Sequence, residues 1–223
     1  MKKSLLLFSN GIDSYIGKYF LRPNLSVYLD MQTKYSLAEK HYIKKFHKDV
    51  IIDEALTFLG EHEELSGHIE YRNLFLTMYS LLKYSPNIVY ICGLKDDKVS
   101  DKTPEVFEML SSLVSKVSGQ DIVITSPFWD KTKADICKDY IQEKPVSDLM
   151  YKTYSCYEGG FTECGSCPAC LRKRVAIYAS SGVFMPFYNL KLVQQYESNI
   201  GNYDLQRQKN MREYFYKVRE FAR

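Results

Sequence analysis

Ser4-Leu5-Leu6-Leu7-Phe8-Ser9-Asn10-Gly11-Ile12-Asp13-Ser14-Tyr15-Ile16 begins as an apolar run and breaks into a polar, glycine-containing turn. Beyond the turn, Tyr15, Ile16, Tyr19 and Phe20 recur at helical spacing. The reading is strand, loop, helix. In open parallel sheets ligands lie outside the carboxyl ends of the strands, so this loop stands where a phosphate would sit. Gly11 lets the backbone approach an anion, Ser9 and Ser14 offer hydroxyls, and the free N–H groups of the helix starting near Ser14 face the same point. Asp13 suits a magnesium ion bridging phosphates, or orients the loop. Alternatively, Asn10-Gly11 is only a turn and Asp13 or Ser14 only a helix cap.

Outward from this unit the alternation continues. Strands are expected at Ser26 to Asp30, Val50 to Ile52, Asn87 to Cys92 and Ile122 to Thr125. Between them, helices are expected at Tyr35 to His47, after Tyr71, from Thr103-Pro104 with proline at the first helical position, and at Lys133 to Gln142. Strands alternating with helices imply an α/β fold with a mostly parallel sheet covered on both faces. The character of the chain changes at Tyr151, which gives an expected division into 1–150 and a cysteine-rich, helical 151–223. From Met211, Phe215, Val218 and Ala222 follow helical spacing, with Arg212, Arg219 and Arg223 largely off that line.

At 223 residues the chain suffices for one substantial core with a small appendage. Lys and Arg outnumber Asp and Glu by 30 to 27, and a net charge of +3 does not by itself argue for a nucleic-acid backbone. The apolar run Leu5 to Phe8 is far too short for a signal core or a membrane span, so a cytoplasmic, non-membrane protein is expected. His41, His47, His62 and His68 show no ligand spacing and are read as structural or solvated.

Cys156, Cys164, Cys167 and Cys170 place four soft thiolates within fifteen residues at C-x7-C-x2-C-x2-C spacing. Gly159-Gly160 and Gly165 supply the backbone freedom to fold around an ion. This donor set suits tetrahedral zinc, closed and therefore structural; an iron–sulfur cluster is the other occupant the count permits. Arg172, Lys173 and Arg174 follow, either reaching phosphates or forming the solvated face of a helix. Cys92 and Cys137 lie in apolar surroundings and read as buried small residues.

Together these signals resemble the 7-cyano-7-deazaguanine synthase (QueC) family of the PP-loop ATP-pyrophosphatases. Ser9 to Ser14 is similar to that family's S-G-G-x-D-S loop except at Asn10. Ser155-Cys156-Tyr157-Glu158-Gly159-Gly160 and Cys164-Gly165-Ser166-Cys167-Pro168-Ala169-Cys170 resemble its zinc segment. Tyr71-Arg72-Asn73-Leu74-Phe75-Leu76, Asp101 to Phe107 and Ser126 to Ile136 resemble its A-R-N-x-x-F-L, D-x-x-P-E-F and T-P-L-x-x-x-x-K-A-E-I stretches.

The resemblance implies a Rossmann-like, adenine nucleotide alpha hydrolase-like domain with a small zinc-bound helical element, usually a homodimer. It implies an ATP-dependent carbon–nitrogen ligase that adenylates 7-carboxy-7-deazaguanine and uses ammonia to form the 7-cyano product, releasing AMP and pyrophosphate. Ser9, Asn10, Gly11, Ile12, Asp13 and Ser14 would hold ATP and its Mg²⁺, and Arg72 would supply a guanidinium near the reacting phosphate or carboxylate, with Asn73 beside it. Lys133 would face the phosphates and Asp101 would read the base's N–H edge. Asn10 tolerates left-handed angles, yet its side chain is expected to intrude at the phosphates. Two alternatives stay open: an enzyme that stops at the amide or conjugates the deazaguanine to a protein or nucleic acid, and a non-catalytic nucleotide-binding zinc scaffold.

Overall fold

Why the first strand is apolar on both sides becomes clear in the computed structural model, which describes residues 2–222 except 66, 96 and 98. Leu5 and Leu6 point to opposite faces of a sheet and each packs in a different hydrophobic cluster. Among the described residues, five strands, β1 (Ser4–Leu7), β2 (Leu25–Leu29), β3 (Ile51–Asp53), β4 (Ile88–Tyr90) and β5 (Val123–Thr125), run all parallel in the order β3-β2-β1-β4-β5. The helices are α1 (Ile12–Leu21), α2 (Ser36–Phe46), α3 (Arg72–Tyr84), α4 (Pro104–Ser118), α5 (Lys133–Ile141), α6 (Val146–Tyr151), α7 (Pro168–Ser181), α8 (Leu190–Ser198) and α9 (Leu205–Phe221).

One face of the sheet, with Leu6 and Tyr28, is covered by Ile16 of α1, Ile43 of α2, Ile136 and Tyr140 of α5, and Ala176 and Ile177 of α7. The other face, with Leu5, Val27, Leu29 and Val89, is covered by α3 and by Phe107 and Val114 of α4. This is the two-faced parallel sheet expected from the alternation of strands and helices. A third cluster joins the cysteines to Met211, Tyr214, Phe215 and Val218 of α9.

Helix ends follow local chemistry. Thr103 caps α4 ahead of Pro104, and Thr132 with Asp135 forms a reciprocal capping box on α5. The first helix differs from the capping alternative: α1 starts at Ile12 with Gly11 as its N-cap and no side-chain cap bond. The Ser14 hydroxyl instead accepts from Ser9 N–H at 3.1 Å and donates to the Gly11 carbonyl at 3.2 Å, bracing the loop from within. The last helix begins at Leu205, six residues before the expected Met211, because Asp204 caps it by accepting from Arg207 N–H. Arg223 lies outside the described residues. Among the described residues no helix is long and apolar enough to cross a membrane.

Candidate functional site

β1 pairs with β2 on one side and β4 on the other, so the sheet's order reverses beside it and the crevice opens at its carboxyl end. There a cavity of about 540 Å³ is bordered by Ser9, Gly11, Ile12, Asp13 and Ser14 from the β1–α1 loop. Arg72 and Asn73 enter from the start of α3, and Lys133 from the start of α5. Residues that sequence placed in separate motifs thus share one space.

Lys133 Nζ donates to both carboxylate oxygens of Asp13. Burial alone would lower the Lys133 pKa, but the charges of Asp13 and Asp97 outweigh it and the ammonium is held above its ordinary value. Asp97, also at the cavity, accepts from Lys102 at 2.6 Å and from Leu94 N–H at 3.0 Å. Burial pushes its pKa up, and the neighbouring Lys102 more than compensates, so it is lowered. Lysines 102 and 133 are therefore spent on carboxylates. Among the described residues, Arg72 and Arg172 border the cavity without a carboxylate at ion-pair distance.

Asp101 accepts from Asn73 N–H at 2.8 Å and from Asn73 Nδ2 at 2.7 Å. It lies beneath the first turn of α3 and is not among the residues bordering the cavity. Tyr71, just before that turn, has φ of 57°, a left-handed angle that costs a non-glycine residue about 1–3 kcal/mol. The Asp101 bonds help hold the turn that presents Arg72.

Asn10 also has a left-handed backbone, φ 59°, and its side chain is fully buried rather than at the cavity. Neither Oδ1 nor Nδ2 has a hydrogen-bond partner. Its carbonyl accepts from Tyr154 N–H at 2.9 Å, which ties the loop to the segment carrying the cysteines.

In that segment the four sulfurs of Cys156, Cys164, Cys167 and Cys170 lie within 4.8 Å of one another. Four sulfurs about 2.3 Å from a central ion form a tetrahedron with edges of about 3.8 Å, and Cys164 and Cys170 stand at 3.9 Å. The donor set fits one ion such as zinc; a multi-iron cluster spreads its thiolates over separate metals and needs a wider cage. Backbone N–H groups of Glu158 and Cys164 point at the Cys156 sulfur and that of Ser166 at the Cys164 sulfur, an arrangement that suits thiolates. Gly159 has φ of 78°, and a Cβ there would lie 2.3 Å from the Lys34 carbonyl.

The solvated-face alternative fails for the cations after Cys170. Lys173 is 1% exposed and donates to the Thr153 carbonyl and to Glu163, which also accepts from Ser155 N–H. Arg174 is buried beside Glu163 and donates to the Pro186 carbonyl. Arg172 turns to the cavity, where the Tyr157 hydroxyl lies 3.1 Å away. Cys92 and Cys137 are buried as expected, and His47 packs between Phe8 and Tyr15, with burial and then Lys18 lowering its pKa to about 4.

Two features escape the motif reading. Glu39 borders the cavity, buried, accepting from the Tyr28 hydroxyl at 2.7 Å. Burial raises its pKa to about 8 against the opposing effects of Tyr28 and Arg72, so it carries a proton at neutral pH. The signal was its place in the stripe Tyr35-Glu39-Ile43, a carboxylate on a buried helix face. The second is the tail: Tyr196, Tyr203, Arg207, Asn210 and Met211 border the cavity, and the caps Asn189 and Asp204 were its local signals.

Comparison with known proteins gives a match to the family model described as queuosine biosynthesis protein QueC over residues 31–181. A 7-cyano-7-deazaguanine synthase of Marinomonas sp. (strain MWYL1) is 25% identical over 213 residues, covering 81% of this chain and 95% of that protein. The protein of that name from Porphyromonas gingivalis is 24% identical over 207 residues, 79% of this chain and 93% of its own. One from Methanosphaera stadtmanae is 36% identical over 76 residues, 34% of this chain and 32% of its own.

Proposed function

From the premise that the chain belongs to the QueC family, we propose that it is a 7-cyano-7-deazaguanine synthase, an ATP-dependent ligase that activates 7-carboxy-7-deazaguanine for attack by ammonia. The observation that carries this reading is the single cavity in which the β1–α1 loop meets Lys133, Arg72 and Arg172. A carboxylate is a poor acyl donor because oxide is a poor leaving group. Attack of its oxygen on the α-phosphorus of ATP breaks the bond to pyrophosphate and gives an acyl adenylate. Ammonia then adds to the acyl carbon, AMP departs with the C–O electrons, and loss of a proton leaves the amide. Repetition at the amide oxygen with a second ATP, followed by loss of AMP and a proton, gives the nitrile.

The loop hydroxyls of Ser9 and Ser14 and the first N–H groups of α1 receive the departing pyrophosphate. Lys133 supplies a fixed positive charge beside them. Magnesium fits the cavity's two carboxylates: it takes one or two of them plus phosphate oxygens and waters, and Asp13 and Asp97 would hold it. When bound it neutralises charge developing on pyrophosphate. Arg72 and Arg172 present guanidiniums that match a carboxylate or phosphate in paired fashion, and Asn73 lies beside Arg72. Asp101 acts as a positioning residue through Asn73. Zinc on the four cysteines leaves no open coordination position and serves the fold.

We also take the protein to be a homodimer. Phe75, Met78 and Leu82 form an exposed apolar stripe on α3, and Met109, Leu113 and Val117 form another on α4, over the same sheet face. Apolar stripes at this spacing suit a partner copy.

The test is incubation of purified protein with ATP, Mg²⁺, ammonia and 7-carboxy-7-deazaguanine, followed by mass analysis. AMP, pyrophosphate and the nitrile are expected. The amide alone would limit the reaction to its first half, and intact ATP would remove the enzyme reading.

A further inference from the structure

One wall of the cavity is built by chain that the family match does not reach. The match ends at residue 181, and the Marinomonas relative aligns over 95% of its own length while covering 81% of this chain. Beyond that point the chain still has a buried anchor. Met211, Tyr214, Phe215 and Val218 of α9 pack into the cluster that contains the cysteines. Tyr196 and Tyr203 are partly buried and pack against the edge of that cluster, and with the partly buried Arg207 they border the cavity.

Their chemistry is of one kind. The Tyr196 and Tyr203 rings are parallel to within 4° with centroids 6.4 Å apart, and the Arg207 guanidinium lies 4.3 Å from the Tyr203 ring centroid. Arg172 borders the same cavity as this wall and the β1–α1 loop, where its guanidinium donates to the Tyr157 hydroxyl at 3.1 Å. Flat aromatic faces beside guanidiniums suit a ligand that is itself flat, heteroaromatic and anionic. Adenine is neutral and needs only apolar cover, which Val27, Leu29, Met31 and Leu76 provide at the same cavity.

We propose that Tyr196, Tyr203 and Arg207, together with Arg172, form the subsite for the carboxylic-acid substrate: the tyrosines take its planar ring and Arg172 directs its carboxylate toward the loop. This rests on the function proposed above and adds to it that the tail, not the family-matched core alone, sets which acid is accepted. Tyr203 is then a specificity residue.

Calorimetric titration separates the two ligands, using 7-carboxy-7-deazaguanine and, apart from it, α,β-methylene-ATP with Mg²⁺. Base–aromatic stacking lost on substitution by alanine corresponds to about 5- to 150-fold in affinity. Tyr203→Ala should weaken the acid by about tenfold or more and leave the nucleotide within about twofold, while Tyr203→Phe keeps the acid bound. Metal content and melting temperature equal to the parent's show that the tail remains docked. Acid affinity unchanged in Tyr203→Ala, or nucleotide affinity lost in step with it, overturns the inference while the proposed reaction stands. A parent protein that binds nucleotide but no acid overturns the proposed function, and this inference with it.

Discussion

Replacing Glu39 by glutamine should change how stability depends on pH more than it changes stability itself. The carboxyl is buried with the Tyr28 hydroxyl donating to it, and its pKa stands at about 8 against an ordinary 4.5. Between those values the folded chain holds a proton that the unfolded chain has released. A raised carboxyl pKa therefore contributes stability that is complete below the unfolded value and is lost as pH rises through the folded one. Inside that window each pH unit removes about 1.4 kcal/mol, so the parent should lose roughly 2–3 kcal/mol between about pH 6 and about pH 8 from this group alone. For a chain of this size that is a fall in melting temperature of about 5–10 °C. Glutamine keeps the shape and can still accept from Tyr28, but it has no proton to lose. Urea unfolding of the metal-loaded proteins across the range should give midpoints that nearly coincide near pH 5 and diverge steadily as pH rises from there to about 8, with Glu39→Gln the more stable. Curves that stay parallel to about pH 9 would falsify the assignment, since they require Glu39 to be equally protonated in both states.

Cys167→Ser should strip the metal and unfold or precipitate the chain, because binding of structural zinc contributes on the order of 10 kcal/mol to folding; metal analysis that finds iron with sulfide, or a well-folded metal-free parent, refutes the zinc site. Asp13→Asn should slow pyrophosphate release by about a hundredfold or more while melting stays within a few degrees of the parent; an unchanged rate would confine Asp13 to holding Lys133. Asn10→Gly should be tolerated, since glycine adopts its left-handed angle and removes an amide without partners, whereas Asn10→Val should cost about 2–3 kcal/mol; equal stability of the two variants in urea contradicts that backbone geometry. Leu113→Glu on α4 should give a monomer by sedimentation, and a persisting dimer rules out the apolar stripe as the interface.

Much of the fold was legible because its causes are local. Leu5 and Leu6 are both apolar because both faces of β1 are covered, and Thr103-Pro104 and Thr132 start helices by chemistry confined to one turn. The cysteine cage is local too, since all four sulfurs come from one short stretch. What sequence did not reveal depends on partners far along the chain. Lys173 reads as a surface lysine until Glu163 and the Thr153 carbonyl are brought to it. Asp101 carries a motif, but its oxygens are directed at Asn73, 28 residues away. Arg172 is followed directly by the buried cations Lys173 and Arg174, and only the turn of α7 assigns it to the cavity. The tail's place on the cavity wall follows from the packing of α9 on the cysteine cluster, which no spacing within residues 190–210 records.

The bond from Tyr154 N–H to the Asn10 carbonyl, together with the Lys133 contact to Asp13, bears on how the protein is made. Synthesis produces the β1–α1 loop well before its partners, since Lys133 follows Asp13 by 120 residues and Tyr154 comes later still. Its left-handed Asn10 then waits on the ribosome without the segment that braces it, and the wall containing Met211 follows later still. A growing chain therefore has the residues of the site without the site. A message cut short before Lys133 yields a chain in which neither brace of the β1–α1 loop is present.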